Sequence, residues 1–537
     1  MTPARGPWFA EQTENYSLSE NSRQRRRLHE VAMLDAIVAG LAGILDLRTF
    51  AVMLLGIAIG FVVGILPGLG GPVALALMLP FTFGMSPVEG FAFLLGMWVV
   101  TSTAGDITSV LFGVPGEATS AAAVLDGYPL TRKGQGGRAL GAVLTSSAMG
   151  AIVGALVLAL TISIIRPVVL SFGPPEFFML TVVGLTFVIT LSSGAMLKGF
   201  VMVSLGLLVA TIGIDPQLGI PRYTGDQLYL WDGINIVPLV VGLFGGAEVL
   251  QIMLSKKSIA TSASGPTHLT GTLAGVRDAF RHWRVVARSA AIGVGVGSLP
   301  GVGGTVTQWI AYGQARQASK NPEMFGKGAI DGVVAAGATN NARDAGSLIP
   351  TIAFGIPSGA SSAVLLGGFM ILGLNPGQEM LDENLHVTFS MVWIMIVSNL
   401  IAVSLAVTLA RPLTLLTRVP GPLLVPGLLL LLLVGAYTAT NSYGDILVML
   451  CAAAVGVACI RWGWPRVPFL LAVVLGGLAE EYLNLSTTLF GTSWVTRPGV
   501  LVLALIGAAS IAFGVRAGRR RAHRASPAGP REMERNA

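Results

Sequence analysis

Charge is scarce in this sequence. Of its 537 residues only 11% are Asp, Glu, Lys or Arg, less than half of the roughly 25% found in ordinary soluble domains. That shortage excludes the polar surfaces that two or three soluble domains of this length would need. Cysteine is limited to Cys451 and Cys459, inside one apolar stretch, which excludes a disulfide framework and reads as small-residue packing. The five histidines, at 29, 268, 282, 386 and 523, never pair at ligand spacing, so no resident metal or cofactor is expected. A GxxxxGK(S/T) phosphate loop and an HExxH motif are both missing, so the chain is expected neither to hydrolyse ATP nor to be an enzyme. Behind the positive charges of the first thirty residues there is no apolar run, which excludes a signal peptide. Residues 1–30 read as a polar, disordered cytoplasmic tail, with Met1 and Met33 both open as starts.

What the sequence has in quantity is apolar residues, 53%, and glycine, 69 residues; its mean hydropathy is +0.73. Apolar stretches near the 20 residues needed to cross a bilayer recur from 49–66 to 499–515, among them 285–299 and 347–372. The expected fold is an all-α polytopic membrane protein with about 11 to 14 transmembrane segments, some broken or re-entrant. The net charge of +7 does not imply nucleic acid. Its runs, Arg23 to Arg27, Lys256–Lys257 and Arg516 to Arg524, flank apolar stretches, as the positive-inside rule places them.

An internal repeat organises the chain. Residues 64–71 read GILPGLGG and 297–304 read GSLPGVGG; 112–121 read FGVPGEATSA and 354–363 read FGIPSGASSA. The order and spacing agree, so the chain divides into a first repeat (31–250), a polar connection (251–284), a second repeat (285–390), a C-terminal bundle (391–515) and a basic cytoplasmic tail (516–537). Loop charges suggest that the repeats are inverted: 126–138 carry net +2, whereas the corresponding 373–386 carry net −3.

Glycine and proline at membrane depth free backbone groups that must line protein or a wet cavity. In inverted-repeat transporters such breaks aim half-helix N-termini at an anionic substrate. On this argument Pro67, Gly68, Gly70, Gly71, Pro115, Gly116, Pro300, Gly301, Gly303, Gly304, Pro357 and Ser358 are candidate substrate-binding positions. The polar run Thr339-Asn340-Asn341-Ala342-Arg343-Asp344 lies between apolar segments of the second half. Asn340, Asn341 and Arg343 are candidates for a carboxylate, Arg343 by bidentate contact. Asp106, Thr339, Asn340 and Asp344 are candidates for a coupling ion, Na⁺ or H⁺, with unwound carbonyls assisting near Asn340. Arg343 also has a structural option, pairing with Asp344, Asp331 or Asp106. Glu480 and Glu481 read as interfacial.

These residues resemble the large membrane subunit of the tripartite tricarboxylate transporters, the TctA-like proteins, from about residue 45 to 498. The matches include Gly64–Gly71, Phe81–Pro87, Asp126-Gly127-Tyr128-Pro129, Gly213-Ile214-Asp215-Pro216, Arg222-Tyr223-Thr224-Gly225, Pro300–Gly304, Asn340-Asn341-Ala342, Gly355-Ile356-Pro357 and Gly463-Trp464-Pro465. The resemblance implies a multi-pass permease of the bacterial inner membrane, driven by an ion gradient. It would import citrate-like tricarboxylates or other small organic acids. Its partners would be a periplasmic solute-binding protein and a small membrane subunit of about four spans. A stand-alone symporter and a membrane scaffold without transport remain alternatives. The chain departs from the family pattern at Thr103-Ala104-Gly105-Asp106, Gly337, Arg343-Asp344 and Asn484. Asp106 and Arg343 fall on corresponding segments of the two repeats and are expected to retune the site for a different carboxylate.

Overall fold

The computed structural model of the chain describes residues 31–66, 69–191, 196–215, 217–254, 270–300, 304–408 and 421–525. The expected tail 1–30, the middle of the polar connection and the last residues of the basic tail lie outside them. The described chain is almost entirely helical, with one two-residue pairing of Gly213–Ile214 against Pro221–Arg222. Among the described residues eight helices are long and apolar enough to cross a membrane, and six shorter apolar helices accompany them. The protein is therefore a multi-pass, all-α membrane protein.

The first helices run α1 (Val31–Leu45), α2 (Leu47–Ile65), α3 (Gly71–Met78), α4 (Pro87–Phe112) and α5 (Ala121–Leu130). In the second repeat the corresponding elements are α12 (Trp283–Gly297), α13 (Gly304–Ala318), α14 (Ile330–Phe354) and α15 (Ala360–Ile371). Each Pro-Gly motif thus separates two helices, with α3 and α13 both starting on the motif's last glycine. The two central helices end alike. Gly113 closes α4 at φ 71°, ψ 16°, and Gly355 closes α14 at φ 67°, ψ 18°, the left-handed cap that glycine adopts without a Cβ clash. Beyond each cap the same local bonds recur: Ser120 Oγ donates to the Glu117 carbonyl and accepts the Glu117 N–H, and Ser362 does both with Gly359.

Helix contacts repeat in the same way. Gly56, Gly60 and Gly64 lie one turn apart on α2, and a Cβ on each would meet the carbonyl oxygens of Phe93, Met97 and Thr101 on α4. On α12, Gly293 and Gly297 meet the carbonyls of Thr339 and Arg343. Stripes of small residues let membrane helices approach backbone to backbone, where dispersion and weak polar contacts replace the missing hydrophobic drive. Gly64→Ala would place its methyl 2.5 Å from the Thr101 oxygen and 2.8 Å from the Ala104 methyl. Overpacking of this kind costs about 1–3 kcal/mol, so the variant is expected to melt several degrees below the parent in detergent. An unchanged melting temperature would show that α2 and α4 can separate freely.

Around the repeats lie α6 (Gly136–Val169), α7 (Pro174–Leu191), α8 (Met196–Ala210) and the pair α9 (Ile236–Val240) and α10 (Ala247–Leu254). After α11 (Thr272–Arg281) and the second repeat come α16 (Gln378–Leu381), α17 (Leu385–Thr408), α18 (Gly421–Thr438), α19 (Tyr443–Trp462), α20 (Arg466–Phe490) and α21 (Pro498–Ala525). The long helix that follows each pair of duplicated motifs packs on the central helix of the other repeat, α6 on α14 and α17 on α4. Where these four meet, the Asn341 amide donates to Thr103 Oγ1 and Ser147 Oγ, both at 2.8 Å, and to Asn399 Oδ1.

Two expectations are corrected here. The stretch 347–372 is not one span; Gly355 divides it between α14 and α15. The run 339–344 is not an unwound connection but the middle of α14, whose alanine-rich sequence favours a helix. Its polar side chains are tolerated because protein, not lipid, surrounds them: Thr339 to Asp344 are all buried.

Candidate functional site

A cavity of about 460 Å³ opens where the two repeats meet. The first repeat contributes Pro72 of α3, Trp98 of α4, and Glu117 and Thr119 of the segment after α4. The second contributes Gly297, Gly304, Arg343, Asp344, Ser347 and the run Ser358 to Ser362. Val188 of α7 and Pro465 to Pro468 at the start of α20 complete the wall. Four helices, α3, α13, α15 and α20, therefore begin beside this space, and helix N-termini present unpaired N–H groups that favour anions.

Arg343 supplies the guanidinium. Its residue is 8% exposed, and its Nη2 donates to Asp344 Oδ1 at 2.6 Å and lies 4.0 Å from Glu117 Oε1. Among the described residues its Nε and Nη1 have no hydrogen-bond partner. Gly304 is the residue that admits it: a Cβ there would run into Arg343 Nη1. Of the three partners open to Arg343, the structure selects Asp344. Asp331 instead faces His282, at 3.3 Å.

Glu117 is the largest omission of the sequence reading. Its side chain is 9% exposed; Oε2 accepts the Gly71 N–H at 3.2 Å, and Oε1 accepts from the Thr119 hydroxyl. A carboxylate of the protein itself thus sits on the first turn of α3. The signal was readable: Glu117 is the one charged residue among the positions where the duplicated motif diverges, with Gly359 in its place in the second repeat.

A second group of polar atoms lies between α4 and α14. Ser102 and Asp106 are one turn apart on α4, and Asn340 and Asp344 one turn apart on α14. The Asn340 amide bridges the helices, donating to the Ser102 carbonyl at 2.9 Å and to Asp106 Oδ2 at 3.0 Å. Among the described residues four buried oxygens around this bridge, Ser102 Oγ, Asp106 Oδ1, Asn340 Oδ1 and Asp344 Oδ2, lack a hydrogen bond of good geometry, although the Ser102 hydroxyl lies close enough to interact with the Asp344 carboxylate. Buried acceptors are seldom left unpaired, and these are oxygen donors of the type that bind hard cations. Asp106 and Arg343 do lie on corresponding helices but not at corresponding positions. Counted back from the terminal glycines, Ser102 and Asp344 are each eleven residues before the cap.

The remaining candidates separate. Gly304, Arg343, Asp344 and Ser358 line the cavity, and Gly70 and Gly71 carry Glu117 at its edge. Asn341 belongs to the four-helix knot. Thr339 turns away, its hydroxyl bonded to the Ala335 carbonyl at 2.7 Å and facing Ser289 on α12. Gly116 is enclosed by backbone, where a Cβ would lie 2.6 Å from both Gly105 Cα and Gly64 O. Pro300 and Pro357 are buried and Pro115 half-buried, none of them lining the cavity. Pro67, Gly68, Gly301 and Gly303 lie outside the described residues.

Two carboxylates away from the cavity tie distant segments together, Asp126 the two repeats and Glu480 the first repeat to the C-terminal bundle. Asp126 Oδ1 accepts the N–H groups of Gly326, Gly328 and Ala329, each at 2.8 Å, while Oδ2 accepts from the Tyr312 hydroxyl at 2.8 Å. Glu480 receives both Arg222 nitrogens, at 2.7 and 3.1 Å, and so is an ion-pair partner of the 213–235 loop. In that loop the N–H groups of Leu218 and Gln217 hold the Asp215 carboxyl below the usual carboxylate range.

Residues 50–471 match the family described as tripartite tricarboxylate transporter TctA family. The chain is similar to an Agrobacterium vitis protein described as an uncharacterized 52.8 kDa protein in the TAR-I ttuC' 3' region. The two are 32% identical over 463 residues, 86% of this chain and 92% of that protein. A second Agrobacterium vitis protein, described as an uncharacterized protein in the TAR-II ttuC' 3' region, is 30% identical over 215 residues. That match covers 40% of this chain and 88% of that protein. No solved structure matches.

Proposed function

Because this chain belongs to the tripartite tricarboxylate transporter TctA family, we propose that it is the large permease subunit of an ion-driven, binding-protein-dependent importer of small carboxylates in the bacterial inner membrane. A periplasmic solute-binding protein delivers the acid, and a small membrane subunit of about four spans completes the assembly. The observation that carries the reading is the inter-repeat cavity, where Arg343 and four helix N-termini border a space sized for a small organic acid. The inverted arrangement of the repeats belongs to the same proposal, since it lets the cavity face either side in turn.

The charges also supply a reason for coupling. Around the cavity and the adjoining α4–α14 cluster stand three carboxylates, Asp106, Glu117 and Asp344, and two guanidiniums, Arg343 and Arg466, the second already neutralised by Glu248 at 2.9 Å. Beside that neutral pair, three negative charges against one positive give a formal net of −2, so a carboxylate entering alone meets repulsion. A cation held by the buried oxygens of Ser102, Asp106, Asn340 and Asp344 lowers that repulsion, and each ligand then favours the other's binding. We read this ion as Na⁺, because a proton would partner a single oxygen and leave Asp106 Oδ1 or Asn340 Oδ1 without a partner.

The test is uptake of labelled mono-, di- and tricarboxylates by cells with the gene deleted or restored, the neighbouring subunits intact. Saturable uptake that returns with the gene, falls in Na⁺-free buffer and survives a protonophore while the Na⁺ gradient is maintained is the expected result. Identical traces with and without the gene across the whole panel would overturn the assignment.

A further inference from the structure

We propose that Glu117 is a resident carboxylate filling the first of two quasi-equivalent anion positions, and that one carboxylate of the substrate takes the second, at the start of α13 beside Arg343. The acid transported is then a mono- or dicarboxylate. This rests on the carboxylate-transport reading above and adds to it where the acid binds and how many acidic groups it carries.

The argument starts from the repeat. Glu117 and Gly359 occupy the same place in the duplicated motif, and the hydrogen bonds about them are the same: Glu117 with Ser120, Gly359 with Ser362. The helices that begin at the first duplicated motif are likewise equivalent, α3 at Gly71 and α13 at Gly304, and Gly304 and Gly359 both line the cavity. In the first repeat the Glu117 carboxylate rests on the Gly71 N–H, steadied by the Thr119 hydroxyl. In the corresponding motif of the second repeat, 354–363, no carboxylate is built in. A Cβ on Gly359 would have nothing within 4 Å, so the corresponding space is open.

What faces that space is chemically suited to an anion. Arg343 packs against Gly304 at the first turn of α13, with Nε and Nη1 unpartnered among the described residues. Ser361, equivalent to Thr119, also lines the cavity. The protein's own carboxylate therefore marks by symmetry the seat of the substrate's. With one seat filled, the cavity offers a single complete anion position. Further carboxylates on the substrate would lie near Glu117 and Asp344, at increasing electrostatic cost.

The experiment moves the resident carboxylate. Uptake of labelled acetate, succinate and citrate is measured in cells carrying the complete system with wild-type chain, Gly359→Glu, or Gly359→Glu with Glu117→Gly. Position 359 has extended backbone, φ −159°, and open surroundings, so the variant is expected to fold; melting of the purified protein checks this. Wild type is expected to take up acetate or succinate and to exclude citrate. Gly359→Glu should lower uptake about 100-fold, because a tethered competitor acts at millimolar or higher effective concentration. The double variant should recover at least tenfold of that loss, the open seat having moved to α3. Gly359→Glu taking up substrate as well as wild type would overturn this inference and leave the transport reading standing. So would a folded double variant no better than the single one, or a wild type that prefers citrate. Wild type taking up none of the three would overturn both.

Discussion

Arg343→Ala is expected to reduce uptake efficiency about 100-fold or more, because it removes the one guanidinium that faces the cavity from α14. Truncating one member of a buried, hydrogen-bonded charge pair typically costs about 2–5 kcal/mol, which corresponds to roughly thirtyfold to several thousandfold. Arg343→Lys keeps the charge but loses the planar fork, and a point charge on a flexible stem replaces two-point recognition of a carboxylate. That variant is expected to fall between, with an apparent KM raised about tenfold. A purely structural role makes a different prediction. If Arg343 served only to neutralise Asp344, then Arg343→Ala combined with Asp344→Asn would remove both charges and restore uptake measured at saturating Na⁺, which offsets the loss of Asp344 from the cation cluster. The double variant is expected to remain inactive while melting close to the parent. Wild-type uptake by the double variant, or an unchanged KM in Arg343→Ala, would remove Arg343 from the substrate site.

The repeat, the breaks at the Pro-Gly motifs and the membrane class were legible in the sequence because each rests on local chemistry. Glycine and proline interrupt helices wherever they occur, and apolar runs need lipid or protein around them. The nature of α14 was not legible in the same way. Its residues Thr339 to Asp344 are too polar to resemble a span, and hydropathy assigns such a run to a loop. The run is helical because other helices surround it: α4, α6, α12 and α17 take the place of lipid and supply hydrogen-bond partners for Asn340, Asn341 and Thr339. Periodicity carries no record of which neighbours a helix will have. The division of labour between Asn340 and Asn341 was hidden for the same reason. Adjacent residues on a helix point about 100° apart, so one faces Asp106 and the other the Asn399 knot. Glu117 was missed through habit about loops. A glutamate after Pro-Gly reads as a solvated turn until the turn is known to border an enclosed space. Its asymmetry within the duplicated motif was visible, and comparing the two copies position by position would have found it.

Asp106→Asn is expected to raise the Na⁺ concentration for half-maximal uptake at least about tenfold, equivalent to roughly 1.4 kcal/mol or more, with little change in fold. The substitution is nearly isosteric, and the new side-chain oxygen can still accept the Asn340 amide proton that now goes to Asp106 Oδ2. What is lost is a negative charge at the proposed cation position, among buried oxygens where charge interactions are strong. Ser102→Ala, which removes a neutral oxygen from the same cluster, is expected to act in the same direction by a smaller factor. The two coupling ions give opposite signatures in these variants. Asparagine imitates a protonated aspartate permanently. If protons were the coupling ion and Asp106 their carrier, Asp106→Asn would flatten the pH dependence of uptake and leave Na⁺ irrelevant. Under Na⁺ coupling, the Na⁺ requirement becomes steeper to satisfy while substrate affinity measured at saturating Na⁺ returns toward the parent value. That last comparison is decisive, because linkage requires an ion that assists the acid to be assisted by it equally. Saturating substrate should therefore lower the Na⁺ requirement of the wild type by the same factor that saturating Na⁺ raises the affinity for substrate. Asp106→Asn with an unaltered Na⁺ dependence would place the ion away from α4 and leave the four buried oxygens to water.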